Sequence, residues 1–358
     1  MKKILKLLLI ILAVIIIIPG AYLGYVFLSY HRLGNYEIGV QGMASESQAR
    51  LNNQYKIVTY NIGFGAYEKD YDFFMDGGTR SWAFSRERLD TNLKNISMFL
   101  DQQNADFYFI QEVDTDSTRS YHINETYYMN MAPNLASKSY TYAQNYDSPF
   151  LFYPLLQPHG RSRSGIMVFS SVNIKKANRI ELPIESGMTK FLDLDRCYSK
   201  NRVSVENGKD LVLYNFHLSA YTSDGRIAVE QLRLIIDDIE QEYAQGNYCI
   251  AGGDFNKDIL GDSSIYFGKS DKEYTWGQPI PEEVFIGTHI EIIQPLDLNN
   301  PIPSCRNADS PYHQGQYVLT IDGFMVTDNV SVTSSNVIDT TFLYSDHNPV
   351  YMNFSLVG

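Results

Sequence analysis

The pattern of apolar and polar positions divides this chain into three parts. Residues 1–32, MKKILKLLLIILAVIIIIPGAYLGYVFLSYHR, carry a nearly uninterrupted apolar run from Leu7 to Leu28. Residues 33–54, LGNYEIGVQGMASESQARLNNQ, are polar and read as a tether. From Tyr55 onward, short apolar runs of strand length alternate with a few longer amphipathic stretches. YKIVTYNIG and DFYFIQEV are rich in β-branched and aromatic residues. Their continuous apolar character predicts strands covered on both faces. SGIMVFSS, TKFLDLDRCYS, NRVSVENGKDLVLYNFHLS, YCIAGGDFN, YVLTIDGFMVTD, VSVTSSNVI and NPVYMNFSL continue the series, and Asn207-Gly208 is a hairpin turn signal. Two helices are predicted. In SRERLDTNLKNISMFLDQQN, Leu89, Leu93, Ile96 and Leu100 recur at helical spacing behind a Ser85 cap. In DGRIAVEQLRLIIDDIEQEYAQG, Ile227, Leu232, Ile235 and Ile239 do so, and Gly246 ends the run. Residues 115–160 read as substrate-side loops around a short helix, and residues 257–316 as another long loop region. Many strands with few helices and hairpin links predict an α+β fold, with two sheets packed face to face and helices outside. Residues 55–358 show no internal boundary.

The N-terminal run exceeds the ~20 apolar residues that cross a hydrocarbon core. It is also longer than the ~7–15 apolar residues of a cleaved signal peptide, the competing reading. Lys2, Lys3 and Lys6 precede it, so the positive-inside rule puts the N-terminus in the cytosol and the body outside, at the cell membrane. The chain's net charge is −12. The first 32 residues hold four Lys/Arg and no acid, which leaves −16 on the remainder. Such a body is a poor general binder of nucleic-acid backbones, though a metal and a few local cations would still hold one phosphate. Cys197, Cys249 and Cys305 are too widely spaced for a metal motif or a disulfide framework.

Chemistry concentrates where apolar runs turn polar. TYNIG places Asn61 there, FIQEV Glu112, YNFHLS Asn215 and His217, AGGDFN Asp254 and Asn256, and TIDGF Asp322; SDHNPV brings Asp346 and His347 into a strand. One such residue is an ordinary turn residue. Several carboxylates at the ends of buried strands are costly unless paired or bound to a cation. If the ends meet at one rim, they form an oxygen-rich site with two imidazoles, suited to Mg²⁺ or Mn²⁺ and to phosphate-ester hydrolysis. Arg161 and Arg163 in HGRSRSG offer bidentate donors to a phosphate, or are solvated loop arginines, and Asn215 is grouped with them as a substrate-binding candidate. Lys190 and Arg196 read as exposed charge, Tyr146 as a packing residue, and Tyr274 and Trp276 as shaping a substrate wall or pinning down a long loop.

These fragments, in this order, closely resemble the endonuclease/exonuclease/phosphatase superfamily, the DNase I-like fold, across residues 55–355. The resemblance implies a four-layer α/β sandwich and Mg²⁺-dependent hydrolysis of phosphodiesters or phosphomonoesters. It implies Glu112 as main metal ligand, with Asn61 beside it and Asp346 on the metal side. Asp254 would align or deprotonate the attacking water, and Asn256 would support the transition state. His217 would contact the phosphate, with His347 as the second phosphate-binding or acid/base histidine and Asp322 its carboxylate partner. The substrate stays open among lipid head groups, nucleic acid and small phosphodiesters, and no protein partner is inferred. An anchored binding module that kept the fold is the non-catalytic alternative.

Overall fold

The computed structural model describes residues 2–185, 194–220, 225–268 and 277–358. Lys190, Tyr274 and Trp276 lie outside the described residues. In chain order the strands are β1 (Tyr36–Ile38), β2 (Tyr55–Asn61), β3 (Phe107–Asp114), β4 (Ser139–Leu151), β5 (Gly160–Ser170), β6 (Ile174–Leu182), β7 (Arg196–Ser204) and β8 (Asp210–His217). They continue as β9 (Tyr248–Asp254), β10 (Ile290–Ile293), β11 (Cys305–Arg306), β12 (Val318–Leu319), β13 (Asp322–Thr327), β14 (Val330–Val337) and β15 (Val350–Leu356). The helices are α1 (Lys2–Ser29), α2 (Arg86–Gln102), α3 (Glu125–Met129), α4 (Pro133–Ala136), α5 (Arg226–Tyr243) and α6 (Ser264–Phe267).

One sheet has the order β1-β6-β7-β8-β9-β13-β10 and the other β14-β15-β2-β3-β5-β4. Each is antiparallel except at one pair, β8 with β9 and β2 with β3. Period-two alternation inside the apolar runs builds the layers. Ile57, Phe107, Phe109, Leu211, Leu213 and Ile250 fill the space between the sheets. Their neighbours Val58, Tyr60, Tyr108 and Ile110 face α2 and α3 on one outside, together with Leu89, Leu93, Ile96 and Leu100. Val212, Tyr214 and Phe216 face α5 on the other, with Leu232, Ile235 and Ile239. The result is the four-layer sandwich expected from the sequence, plus the apolar N-terminal helix. Ser85 caps α2, its Oγ accepting from the Arg88 amide at 3.1 Å.

Three elements differ from expectation. Residues 33–54 are not free of the body: β1 pairs with β6, and Gln41, Glu46 and Ala49 bridge to Tyr140, Val172 and Val205. Residues 139–151, read as loop, form the 13-residue edge strand β4. TIDGF does not end a strand. Asp322 opens β13, which runs antiparallel to β9, so it still reaches the same rim.

The inter-sheet core has one polar stitch. Asn215 on β8 is fully buried; its Oδ1 accepts from Gln111 Nε2 at 2.7 Å, and its Nδ2 donates to the carbonyls of Ile110 at 3.2 Å and Met167 at 2.8 Å. The amide is thus committed to joining the sheets, whereas the sequence had suggested substrate binding. Asn215→Ala strands three polar groups and lowers stability by about 3 kcal/mol in denaturant unfolding. A loss below about 1 kcal/mol together with a raised KM would instead place the amide in the substrate site.

Candidate active site

Two parallel pairs bring four polar strand ends to one rim. In the β8/β9 register His217 stands beside Asp254, and in the β9/β13 register Asp254 faces Asp322. From the other sheet, Asn61 ends β2 beside Gln111 on β3, and its Nδ2 reaches across to Asp254 Oδ2 at 3.0 Å. The segment before β15 adds Asp346 and His347. Asp254 is the hub: its Oδ2 lies 3.5 Å from His217 Nε2 and 3.8 Å from His347 Nε2. Its Oδ1 accepts from the Asn256 amide at 2.8 Å, and Asn256 Nδ2 donates to the Leu218 carbonyl at 2.8 Å. Asp254, Asp322 and His347 offer ligand atoms within 4.8 Å of one another.

Glu112 arrives by a break in the ladder. The β3/β5 register shifts between Ile110 and Val113, and Glu112 takes the left-handed conformation at φ +57°. For a Glu this conformation costs about 1–2 kcal/mol. The bulge frees its side chain from strict alternation. Oε1 stands 3.8 Å from His217 Nδ1, while Oε2 is buried with no hydrogen-bond partner. Two glycines make the close packing possible. A Cβ on Gly63 (φ +55°) would sit 3.0 Å from both Asp346 Oδ1 and Ser345 Oγ, and one on Gly253 (φ +141°) would lie 2.0 Å from the Phe216 carbonyl.

The electrostatics follow from burial. Burial pushes Glu112 up to about 8, with the Asp346 charge adding to it. Burial and the Asp322 charge raise Asp254 to about 7. Asp346 is also raised, chiefly by burial. Burial opposes charge on His347, yet the Asp322 carboxylate, 2.8 Å from its Nδ1, holds the imidazolium well above its ordinary range. Ser304 Oγ donates to the same Asp322 oxygen at 2.7 Å. His217 has no such partner, and burial followed by the nearby Arg196 cation keeps it neutral.

The cluster thus gathers Asn61, Glu112, His217, Asp254, Asn256, Asp322, Asp346 and His347. It does not take in Arg161 and Arg163. They stand on β5, and both pair with Asp147 on β4, Arg163 Nε at 2.8 Å and Arg161 Nη2 at 3.3 Å. Two other arginines were not apparent from the sequence. Arg119 is buried, pairs with Asp114 at 2.9 Å, stacks on Phe64 and donates to Tyr146. Arg196, read as exposed charge, is 94% buried, and its Nε and Nη1 have no hydrogen-bond partner among the described residues. Only its place at a strand start, one residue before Cys197 and the run leading into the β7–β8 hairpin, hinted at this.

The profile of the Endonuclease/Exonuclease/phosphatase family matches residues 58–347. A sequence search of curated proteins found no match. Among solved structures, an endonuclease/exonuclease/phosphatase from Beutenbergia cavernae DSM 12333 superposes with a TM-score of 0.60 at 16% identity, over 86% of this chain and 72% of that one. ANGEL2, described as a 2',3'-cyclic phosphatase and solved with adenosine-2',3'-vanadate, gives 0.54 at 15% identity over 90% and 99%. An endonuclease/exonuclease/phosphatase from Bacteroides vulgatus gives 0.52 at 14% identity over 85% and 100%. At such identities the structural likeness speaks for the fold alone. With the profile spanning most of the body and the rim residues in place, the chain belongs to the Endonuclease/Exonuclease/phosphatase family, whose members include phosphodiesterases, phosphatases and nucleases that commonly use divalent metals.

Proposed function

We propose that residues 55–358 are the catalytic body of a membrane-anchored, divalent-metal-dependent phosphoesterase, most plainly a phosphodiesterase, outside the cytosol with the N-terminus inside. The observation that carries this reading is the convergence on Asp254: one carboxylate oxygen approached by Asn61, His217 and His347, with a base poised near neutral pH. Such a group takes a proton from water efficiently. The oxygen of that water forms the new bond to phosphorus, in line with the ester oxygen whose bond breaks. His347, held charged by Asp322, presents Nε2 to the same space and returns a proton to the leaving oxygen. Neutral His217 hydrogen-bonds a non-bridging oxygen, and Asn256 is held beside it. Arg196, with two unpartnered N–H directions, suits an anion at the edge of the site.

A divalent cation fits the Glu112 side. The Glu112 Oε2 orphan, the adjacent Asp346 carboxylate and the remaining lone pair of Asn61 Oδ1 are hard oxygen donors in surplus of local cations. The Asp254–Asp322–His347 group suits it less, because the His347–Asp322 hydrogen bond already uses ligand atoms of both. Held by Glu112, Asp346 and Asn61, the cation would neutralise charge gathering on the phosphate and leaving group.

Asp254→Asn or His347→Gln is expected to lower kcat on a generic phosphodiester by about 10²–10³, with EDTA abolishing turnover; undiminished turnover in any of these would end the reading. Arg196→Ala should raise KM more than it lowers kcat, in steady-state kinetics. Metal-free protein should also show a stability signature. Glu112 binds its proton more tightly folded than unfolded, so its contribution favours folding at low pH and is lost as pH rises from about 4.5 to about 8. Thermal unfolding across that range should show the decline, Glu112→Gln should flatten it, and Mg²⁺ should offset it at the upper end.

A further inference from the structure

The β4–β5 hairpin extends past the catalytic rim. Beside Glu112, Val113 pairs with Gly165 and Asp114 with Ser164, where β3 ends. The hairpin continues from Ser164 to Gly160, four further residues, or about 13 Å. Its tip is apolar and uncovered. Phe150, Phe152, Tyr153, Leu155 and Leu156 are all exposed, Leu155 at 70% and Leu156 at 101%. No other stretch of seven residues on the described body carries five exposed large apolar side chains.

The tip is fastened to the end of α1. Tyr22 Oη donates to the Phe150 carbonyl at 3.2 Å and accepts from the Phe152 amide at 3.0 Å. Tyr25 Oη accepts from the Phe150 amide at 3.0 Å. Just past the helix, Arg32 Nε donates to Asp195 at 2.7 Å. Between helix and hairpin lies a cavity of about 560 Å³ lined by Leu23, Val26, Phe27, Pro149, Phe152 and Leu155. From Leu7, where the apolar run begins behind Lys6, to Tyr25 the helix has 19 residues and is about 28 Å long, close to the ~30 Å hydrocarbon core. Tyr25 then falls at the membrane surface and Tyr22 about one turn beneath it, where aromatic residues concentrate, and the hairpin tip bonded to both falls there with them. A body of net charge −16 is not drawn to anionic head groups, so contact rests on the apolar tip.

We propose that residues 150–156 dock into the same bilayer that α1 spans, turning the mouth of the active site toward phosphate esters displayed by lipid head groups. This rests on the anchor and hydrolase readings and names the substrate class for them. The hairpin stem acts as a spacer between the bilayer surface and the catalytic rim.

The test uses the full chain in phosphatidylcholine vesicles. The three native cysteines are buried, so Leu156→Cys and Ile286→Cys can each carry one environment-sensitive fluorophore; Ile286 is exposed and precedes β10, which starts at the end of the sheet away from the rim. Docking predicts a blue shift and quenching by nitroxide lipids at 156 and neither at 286. Equal water exposure at both sites overturns the proposal, as does shielding at 156 without lipid quenching, which would mean a second copy or another partner. Carbonate extraction reports separately on anchoring: lipid quenching at 156 in an extractable chain keeps the docking and ends the anchor reading. Leu155→Ser/Leu156→Ser should lower turnover of a vesicle phosphodiester lipid by about tenfold or more, with turnover of bis(4-nitrophenyl) phosphate unchanged. A fall on both substrates, or on neither, overturns the lipid assignment, and a wild-type chain inactive on both ends the hydrolase reading while the fluorophore still decides docking.

Discussion

Packing three acidic side chains against Asp254 and its imidazole neighbours, at the seam of two sheets, is the constraint on which everything else here depends. Glu112, Asp254, Asp322 and Asp346 are withdrawn from water within a few side chains of one another. Four such charges repel strongly in a low-dielectric seam. Two responses are visible. Asp322 is matched by a proton on His347, a local ion pair completed by Ser304. Glu112, Asp346 and Asp254 have no matching cation of their own and are driven toward their protonated forms. A site that holds its carboxylates in this uncompensated state suits a ligand that supplies positive charge, and on the proposed function the body's stability and chemistry would be coupled through that ligand.

Holding such a cluster together takes rigid backbone, and the strain is stored where the surroundings enforce it. Glu112 and Asn256 both adopt positive φ, at +57° and +47°. Glu112 lies within β3 and Asn256 just past the end of β9, each beside residues held by buried hydrogen bonds. Gln111, next to Glu112, is tied to Asn215 across the sheets, and Asn256 is tied to Leu218. The amides of Asn215 and Asn61 do the same structural task at two depths. One closes the core and the other crosses the seam to orient the Asp254 carboxylate. Asn61, expected beside a metal, therefore also orients Asp254, the base of the proposed reaction.

The strands that carry the site were legible because each is mainly apolar on both faces before its last residues turn polar. A switch to Asn, Asp, Glu or His there has no turn to serve and needs a polar partner, which Asn215 finds in Gln111 and the rest find at the rim. What stayed hidden depends on registers that no local pattern encodes. β4 reads as loop because Ser139, Thr141 and Asn145 occupy its inward positions, and those small polar groups face the polar seam, Thr141 bonding Asn201 on β7. Arg161 and Arg163 look free until β4 is laid beside β5, which brings Asp147 against both. Arg196 is the converse: a charge at a strand start suggests solvent, but β6 flanks that start, Leu182 standing opposite Arg196, and the side chain is buried. The tether was misjudged for a similar reason. Three of its apolar positions, Ile38, Ala44 and Ala49, are buried against the body, while Tyr36, Val40 and Met43 stay exposed.

The parallel pairs explain why one rim holds the chemistry. In an antiparallel pair, neighbouring strands end at opposite edges, so their terminal residues separate. In a parallel pair they end together, and here the chain makes one in each sheet, each through a helix: β2–α2–β3 and β8–α5–β9. The terminal residues of these four strands are Asn61, the Glu112 region, His217 and Asp254. Because the sheets pack face to face with the two pairs overlying each other, the carboxyl ends meet across the seam, as ligand sites in open α/β sheets do at a switch in strand order. The antiparallel neighbours then contribute their entrances, Asp322 on β13 and the Asp346–His347 segment before β15, from strands running the other way. Polar residues at four exits and two entrances are thus a single geometric consequence of two crossover helices in an otherwise antiparallel sandwich.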